Sequence, residues 1–125
     1  LAARLAARHA ADEEIRVLNE MVEEDRALVD DPQALSRANR RFHKQIHLAS
    51  HNRFPVQQLD LVHRSMALMA TTSLAIDGRG DMALEEHARI VEAIAERDEQ
   101  AATEALRAHI SLAFEARLKN DASAF

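Results

Sequence analysis

Apolar residues recur every three to four positions along most of the chain, a spacing that is typical of amphipathic α-helices. The pattern predicts six helices, over approximately residues 1–10, 12–29, 31–50, 54–75, 81–94 and 98–118. Four of them begin at an aspartate that suits a helix N-cap: Asp12, Asp31, Asp81 and Asp98. Pro32 in the first turn strengthens the third start, and the segment from Asp77 to Asp81 is the clearest predicted loop.

The composition agrees with a helical chain. The 125 residues include only 2 Gly and 2 Pro, and aromatic residues make up 3%. Such a chain favours helices over strands, and short turns favour antiparallel neighbours. We therefore expect one all-α domain, an antiparallel bundle, over residues 1–125.

Charge and cysteine content exclude several kinds of function. The formal net charge is -5, so the domain lacks the basic surface that binds the phosphate backbone of DNA. With 30% charged residues we expect no membrane span, and the absence of cysteine excludes disulfides and thiolate metal ligands. The first ten residues do not form a secretory signal, and since the chain starts at Leu1 we expect a fragment that lacks an N-terminal part.

Four polar residues fall on apolar helix faces. Asn39 and His43 lie four residues apart on the third helix, His87 lies on the fifth and His109 on the sixth. A buried polar group without a partner costs roughly 1–3 kcal/mol. One divalent metal ion shared by all four would satisfy them, since imidazole nitrogen and amide oxygen suit zinc, nickel or iron. The alternative is that each hydrogen-bonds separately to backbone or water.

Other histidines offer weaker candidates. His43, His47 and His51 follow at four-residue intervals and could hold an ion locally, but we expect His47 and His51 to lie on the surface, as does His9. On the fourth helix, His63 and Met66 belong to an otherwise apolar stripe and Arg64 is their neighbour. Arg64 could bind a carboxylate in a bidentate manner, or it could pair with a surface acid.

Several segments taken together resemble the effector-binding domain of GntR-family transcription regulators, in its FCD (FadR C-terminal domain-like) subfamily. They are NRRFH from Asn39, ASHN from Ala49, EEHARIVEAIAERDEQAA from Glu85 and ALRAHI from Ala105. The opening LAARLAARHA is also similar to the first helix of that domain, which in the family follows a winged helix-turn-helix DNA-binding domain.

The resemblance implies a bundle of six or seven helices with a central divalent metal, Zn, Ni, Fe or Mn, which small carboxylate effectors reach through open coordination positions. It places Asn39, His43, His87 and His109 at the metal-ligand positions, and we expect effector contacts from His63, Arg64 and Met66. Many members have Asp where this chain has Asn39. The amide removes one negative charge, so metal should be held less firmly and an anionic effector more strongly. A cytoplasmic homodimer, whose DNA contacts come only from a domain outside this chain, is also implied.

Two other classes of function stay open at this point. A di-iron helical-bundle enzyme needs Glu-x-x-His pairs, but the residues three before His43, His87 and His109 are Arg40, Leu84 and Leu106. We therefore expect no enzyme. A ligand-free dimerisation module would need no inward histidines, and the metal content of the protein distinguishes it.

Overall fold

In a computed structural model that describes residues 1–52 and 78–123, all the regular secondary structure of these two segments is helical. The five α-helices of these two segments are α1 (Ala2–His9), α2 (Asp12–Asp25), α3 (Pro32–Ala49), α4 (Arg79–Ala95) and α5 (Glu99–Ser123). A 3-10 turn, Arg26–Leu28, follows α2. The all-α class is confirmed for the described segments. The count of six or seven helices stays a prediction, because the predicted fourth helix lies outside them.

Two of the predicted caps are confirmed. The Asp31 carboxylate accepts a hydrogen bond from the Ala34 amide at 3.1 Å, with Pro32 in the first turn of α3. The Asp98 carboxylate accepts from the Ala101 amide at 3.0 Å at the start of α5. Each bond satisfies a backbone N–H group that has no partner inside its helix.

Two other predicted caps are wrong. Asp12 is the first residue of α2, and Ala11 is the N-cap. The Asp12 carboxylate accepts from the Arg97 guanidinium instead, at 3.2 Å. The helix assigned to an Asp81 cap begins earlier, because Gly78 with φ 79° is the N-cap and Arg79 is already helical. The second half of the predicted loop is therefore the first turn of α4.

The core is built mainly where the five helices meet. Its largest fully buried side chains include Leu18 of α2, Phe42 and Ile46 of α3, and Ile90 of α4. Helix α1 contributes only alanines to this core, so its backbone lies close to its neighbours. Burial of this apolar surface is the main stabilising contribution, at roughly 25 cal/mol per Å².

A smaller apolar cluster lies at the start of α4, where Leu84 and Ala83 pack against Leu35 of α3. Gly80 belongs to this contact. A Cβ atom at position 80 would lie 2.9 Å from the Cδ2 atom of Leu35. The absence of a side chain there lets the start of α4 approach α3 closely.

The turn between α4 and α5 is short and reverses the chain. Arg97 has φ 59°, and the Asp98 amide donates to the Ala93 carbonyl oxygen, as in a Schellman helix end. The Arg97 guanidinium also donates to the Ala10 carbonyl oxygen at 2.5 Å. The turn therefore folds α5 back along α4 and ties both to the end of α1.

The apolar stripe predicted for the last helix is only partly buried. Leu106 packs against the core, whereas Leu112 and Leu118 are 36% and 54% exposed. Helix α5 has 25 residues and α4 has 17, so the last turns of α5 extend past the start of α4. Of the residues that flank His109 on the predicted inward face, Leu106 is therefore confirmed in its contact with the core, and the prediction is wrong for Leu112.

Candidate metal centre

Three histidines from three different helices meet in the interior. His43 of α3, His87 of α4 and His109 of α5 are 8%, 2% and 3% exposed. They are predicted to face inward, because each lies at helical spacing from core residues, and their burial confirms that orientation. Each can offer one ring nitrogen to a common point, with all three nitrogens within 4.8 Å of one another.

The Nε2 atom of His109 lies at the centre of this cluster. It is 3.2 Å from the Nε2 atom of His43 and 3.2 Å from the Nε2 atom of His87. Two nitrogens bound tetrahedrally to one zinc ion at about 2.0–2.1 Å lie about 3.3–3.4 Å apart. The observed separations are therefore close to those that a shared ion requires.

A buried carboxylate contacts the other ring nitrogen of His109. The Nδ1 atom of His109 lies 2.7 Å from Oε1 of Glu86, and the Arg79 guanidinium donates to both oxygens of Glu86 at 2.7 and 2.9 Å. The Glu86 and Arg79 side chains are both 5% exposed. A carboxylate only accepts hydrogen bonds, so His109 donates from Nδ1, and its neutral form then presents a lone pair at Nε2.

Hydrogen bonds among the three rings cannot satisfy all the ring nitrogens that meet at His109. One lone pair at Nε2 of His109 faces two imidazoles, and it has room for one in-plane donor. Asn39, 8% exposed and one turn before His43 on α3, has a buried Oδ1 atom with no hydrogen-bond partner among the residues that the structure describes. The Nε2 lone pair of His109 and the Oδ1 atom of Asn39 would both attract a cation, so the residues present fit a metal ion.

The protonation states also suit a metal. Burial, followed by the nearby His109, His43 and Arg79, holds the pKa of His87 well below its ordinary value, so this imidazole is neutral. Burial alone would raise the pKa of Glu86, but the hydrogen bonds from His109 and Arg79 outweigh it and lower that pKa. A neutral imidazole at His87 and an ionised carboxylate behind His109 are forms found around protein-bound metals.

The comparison of the sequence with protein families decides what this domain is. The sequence profile of the FCD domain matches residues 1–112. The chain belongs to the FCD family. FCD domains are the effector-binding domains of GntR-type transcription regulators, and they are parts of regulators rather than enzymes. A comparison with individual curated proteins gives no significant match.

An aromatic ring covers one side of the histidine cluster. Phe42, fully buried on α3, stacks on His87 with ring centroids 4.1 Å apart and an interplanar angle of 16°. The rings of His43 and His109 are also roughly parallel, at 5.2 Å and 18°. Neighbouring rings thus limit the orientation of each imidazole in the cluster.

The remaining predicted residues do not join this cluster or lie outside the described segments. His51 is exposed in the turn after α3, and its Nε2 atom lies 2.7 Å from Oε1 of Glu14. His47 is half-buried rather than fully on the surface, and His9 is exposed as predicted. His63, Arg64 and Met66 lie in residues 53–77, outside the described structure. No helix in the described segments is long and apolar enough to cross a membrane.

The roles of Glu86 and Arg79 were not predicted from the sequence. Adjacent residues point about 100° apart around a helix, so the pattern that places His87 inside does not by itself place Glu86 there. Both are buried nonetheless, because α4 is covered on a wide face that also includes Ile90 and Val91. The useful signal was the spacing of seven between Arg79 and Glu86, which places them on one face two turns apart.

Proposed function

We propose that this FCD domain holds one divalent metal ion through Nε2 of His43, His87 and His109 and Oδ1 of Asn39. The observation that carries the proposal is the convergence of three buried Nε2 atoms around His109. When bound, the ion supplies a concentrated positive charge in the domain interior. Zn, Ni, Fe and Mn all accept such ligands, and availability often decides among them.

We further propose that the loaded site takes a small carboxylate effector. The ligands from α3, α4 and α5 are neutral imidazoles and an amide, and the charge of Glu86 is balanced by Arg79. The protein thus offers no net negative charge at the ion, which favours an anionic ligand. His63, Arg64 and Met66 are proposed as further effector contacts, since they belong to the helix predicted over residues 54–75.

The effector signal would pass through helix packing. The ligands cross-link α3, α4 and α5, and α1 packs against all three of these helices. An effector that binds one arrangement of the three more tightly shifts the population toward it. We propose that α1 transmits this shift to an attached DNA-binding domain, whose operator affinity then changes.

Isothermal titration calorimetry with small mono- and dicarboxylic acids tests the proposal. We expect binding to zinc-loaded protein and at least a tenfold loss after chelation. His109→Leu should abolish binding, and His9→Leu is the matched control, because His9 is exposed on α1. Equal affinity in loaded and chelated protein would overturn metal-mediated recognition.

The cytoplasmic location and the homodimer are also proposals, supported by membership of a regulator family. Sedimentation equilibrium tests the second of them directly. A mass twice that of the chain at micromolar concentration supports a homodimer, and a monomer mass across the concentration range opposes it.

A further inference from the structure

The buried ion pair between Arg79 and Glu86 has a third member. Both oxygens of Glu86 accept from the Arg79 guanidinium, and Oε1 also lies 2.7 Å from Nδ1 of His109. All three side chains are at most 5% exposed. The Glu86 carboxylate therefore connects the buried ion pair to the histidine cluster.

The hydrogen bonds determine which nitrogen of His109 carries the proton. Arg79 has only donors, so it is best satisfied by a carboxylate that accepts at both oxygens. The carboxylate in turn has only acceptors, so His109 is its donor at Nδ1. This leaves the Nε2 lone pair of His109 free to face Nε2 of His43 and His87.

We propose that Glu86 is a positioning residue that fixes the Nδ1-protonated tautomer of His109, and that the two hydrogen bonds from Arg79 hold the Glu86 carboxylate in the orientation that does so. The consequence for metal binding rests on the proposed function. If the metal ion is bound there, the hydrogen bonds that link Arg79, Glu86 and His109 leave Nε2 of His109 available as a ligand and make it more basic. Outer-shell carboxylates of this kind typically contribute about 10–100-fold to metal affinity.

Glu86→Gln should disrupt this arrangement of donors and acceptors while keeping nearly the same side-chain shape. The glutamine side chain has one accepting oxygen and one donating NH₂ group. The Glu86 carboxylate, in contrast, accepts from both Arg79 and His109. If the amide oxygen serves Arg79, its NH₂ group faces Nδ1 of His109 and favours the Nε2-protonated tautomer. That tautomer has no lone pair for an ion at Nε2.

The chain provides a matched control one residue away. Glu85 is 58% exposed and pairs with Arg26 at 2.9 Å, so Glu85→Gln makes the same chemical change outside the interior. Glu85→Gln controls for the chemical exchange on this turn of α4, because the charge that it removes is screened by solvent and salt. An effect that comes from the hydrogen bond to His109 occurs in Glu86→Gln alone.

Long-range ¹⁵N–¹H NMR of the metal-free wild type is the first experiment, at a pH well above the ordinary pKa of histidine. The signals of His109 are assigned by their loss in His109→Leu. We expect the proton on Nδ1 in the wild type and in Glu85→Gln, and a shift of population toward Nε2 in Glu86→Gln. A wild-type proton on Nε2 overturns the proposal, and this result needs no variant of Glu86 to fold.

Co²⁺ titration followed by visible absorption is the second experiment, with far-UV circular dichroism as the check on folding. We expect Glu86→Gln to bind Co²⁺ about 10–100-fold more weakly than wild type, and Glu85→Gln to bind within about twofold. Equal losses in the two variants overturn the positioning role. A wild type that binds no Co²⁺ while His109 carries its proton on Nδ1 overturns the metal centre and supports the tautomer assignment.

Discussion

The Nε2 atoms of His43 and His109 lie 3.2 Å apart although 66 residues separate them in the sequence. Helix α3 supplies the first, and the hairpin of α4 and α5 supplies the second together with His87. The Nε2 atom of His109 faces both of the other rings, and its single lone pair accepts only one in-plane hydrogen bond. The proposed metal ion follows from this convergence of three ring nitrogens on one buried point.

Asn39→Asp should strengthen metal binding. The substitution places a negative charge where an amide oxygen is now buried without a hydrogen-bond partner among the described residues. Two unit charges about 4 Å apart attract each other by about 1 kcal/mol in water and about 4 kcal/mol near a protein surface, so we expect roughly tenfold tighter binding or more. Competition against a chromophoric chelator measures the affinity.

Asn19→Asp is the control for Asn39→Asp, because Asn19 is exposed on α2. It should leave metal affinity within about twofold, since exposed charges are screened by solvent and salt. The same Asn39→Asp variant should bind a carboxylate effector more weakly. Tighter metal binding in both variants would mean that position 39 has no special access to the ion.

Phe42→Ala should destabilise the domain strongly. Phe42 is fully buried and stacks on His87, so truncation leaves a cavity beside the site. Core Phe-to-Ala changes cost about 3–5 kcal/mol in free energy of unfolding. Urea denaturation measures the loss, and Phe114→Ala is the control because Phe114 is 50% exposed. Similar losses in the two variants would be inconsistent with the described core.

Arg97→Ala should also destabilise the domain, by about 1–3 kcal/mol in free energy of unfolding, because it removes the donors to the Ala10 carbonyl oxygen and to Asp12. Arg97→Gly should lose about 1 kcal/mol less, since glycine adopts φ 59° without steric strain. Arg89→Ala, on the exposed face of α4, is the control. If Arg97→Gly were the less stable variant, backbone strain at this turn would be the wrong explanation.

Glu14, in the first turn of α2, should make the stability of the domain depend on pH. A hydrogen bond from the Ala11 amide at 2.9 Å and the nearby His51 lower the pKa of Glu14. A lowered pKa in the folded state adds stability above the ordinary glutamate pKa, and this stability is lost as the pH falls through the folded-state value.

Glu14→Gln tests this pH dependence by urea denaturation across a pH series. The variant should be about 0.5–1 kcal/mol less stable than wild type at pH 7, a typical contribution for a helix cap. The difference should shrink as the pH falls below about 4.3, where the unfolded wild type takes up a proton first. A difference that stayed constant down to pH 3 would exclude a contribution from ionised Glu14.

Local patterns predicted much of the fold. The Asp31 cap followed by Pro32 defined the start of α3, and helical spacing correctly assigned His43 and His87 to the buried faces. These features depend on a few neighbouring residues, which a sequence displays directly. The start of α4 was predicted two residues late. Gly78 is the N-cap, and the ion pair between Arg79 and Glu86 favours a helix that begins at Arg79.

The composition of the site could be predicted more readily than its arrangement. Asn39 and the three histidines were identified because each is polar on an apolar face. The contact of Glu86 with Nδ1 of His109 was not, since it depends on how α5 lies against α4. Tertiary packing determines which atom of an inward side chain meets which neighbour, and periodicity carries no such information.

A crystal structure of the metal-reloaded protein, with anomalous scattering measured on both sides of the absorption edge of the metal, tests the central claim most directly. The account predicts a single anomalous peak bounded by Nε2 of His43, His87 and His109, with Oδ1 of Asn39 beside it. Three imidazoles that each hydrogen-bond to separate partners, with no anomalous density between them, would contradict it.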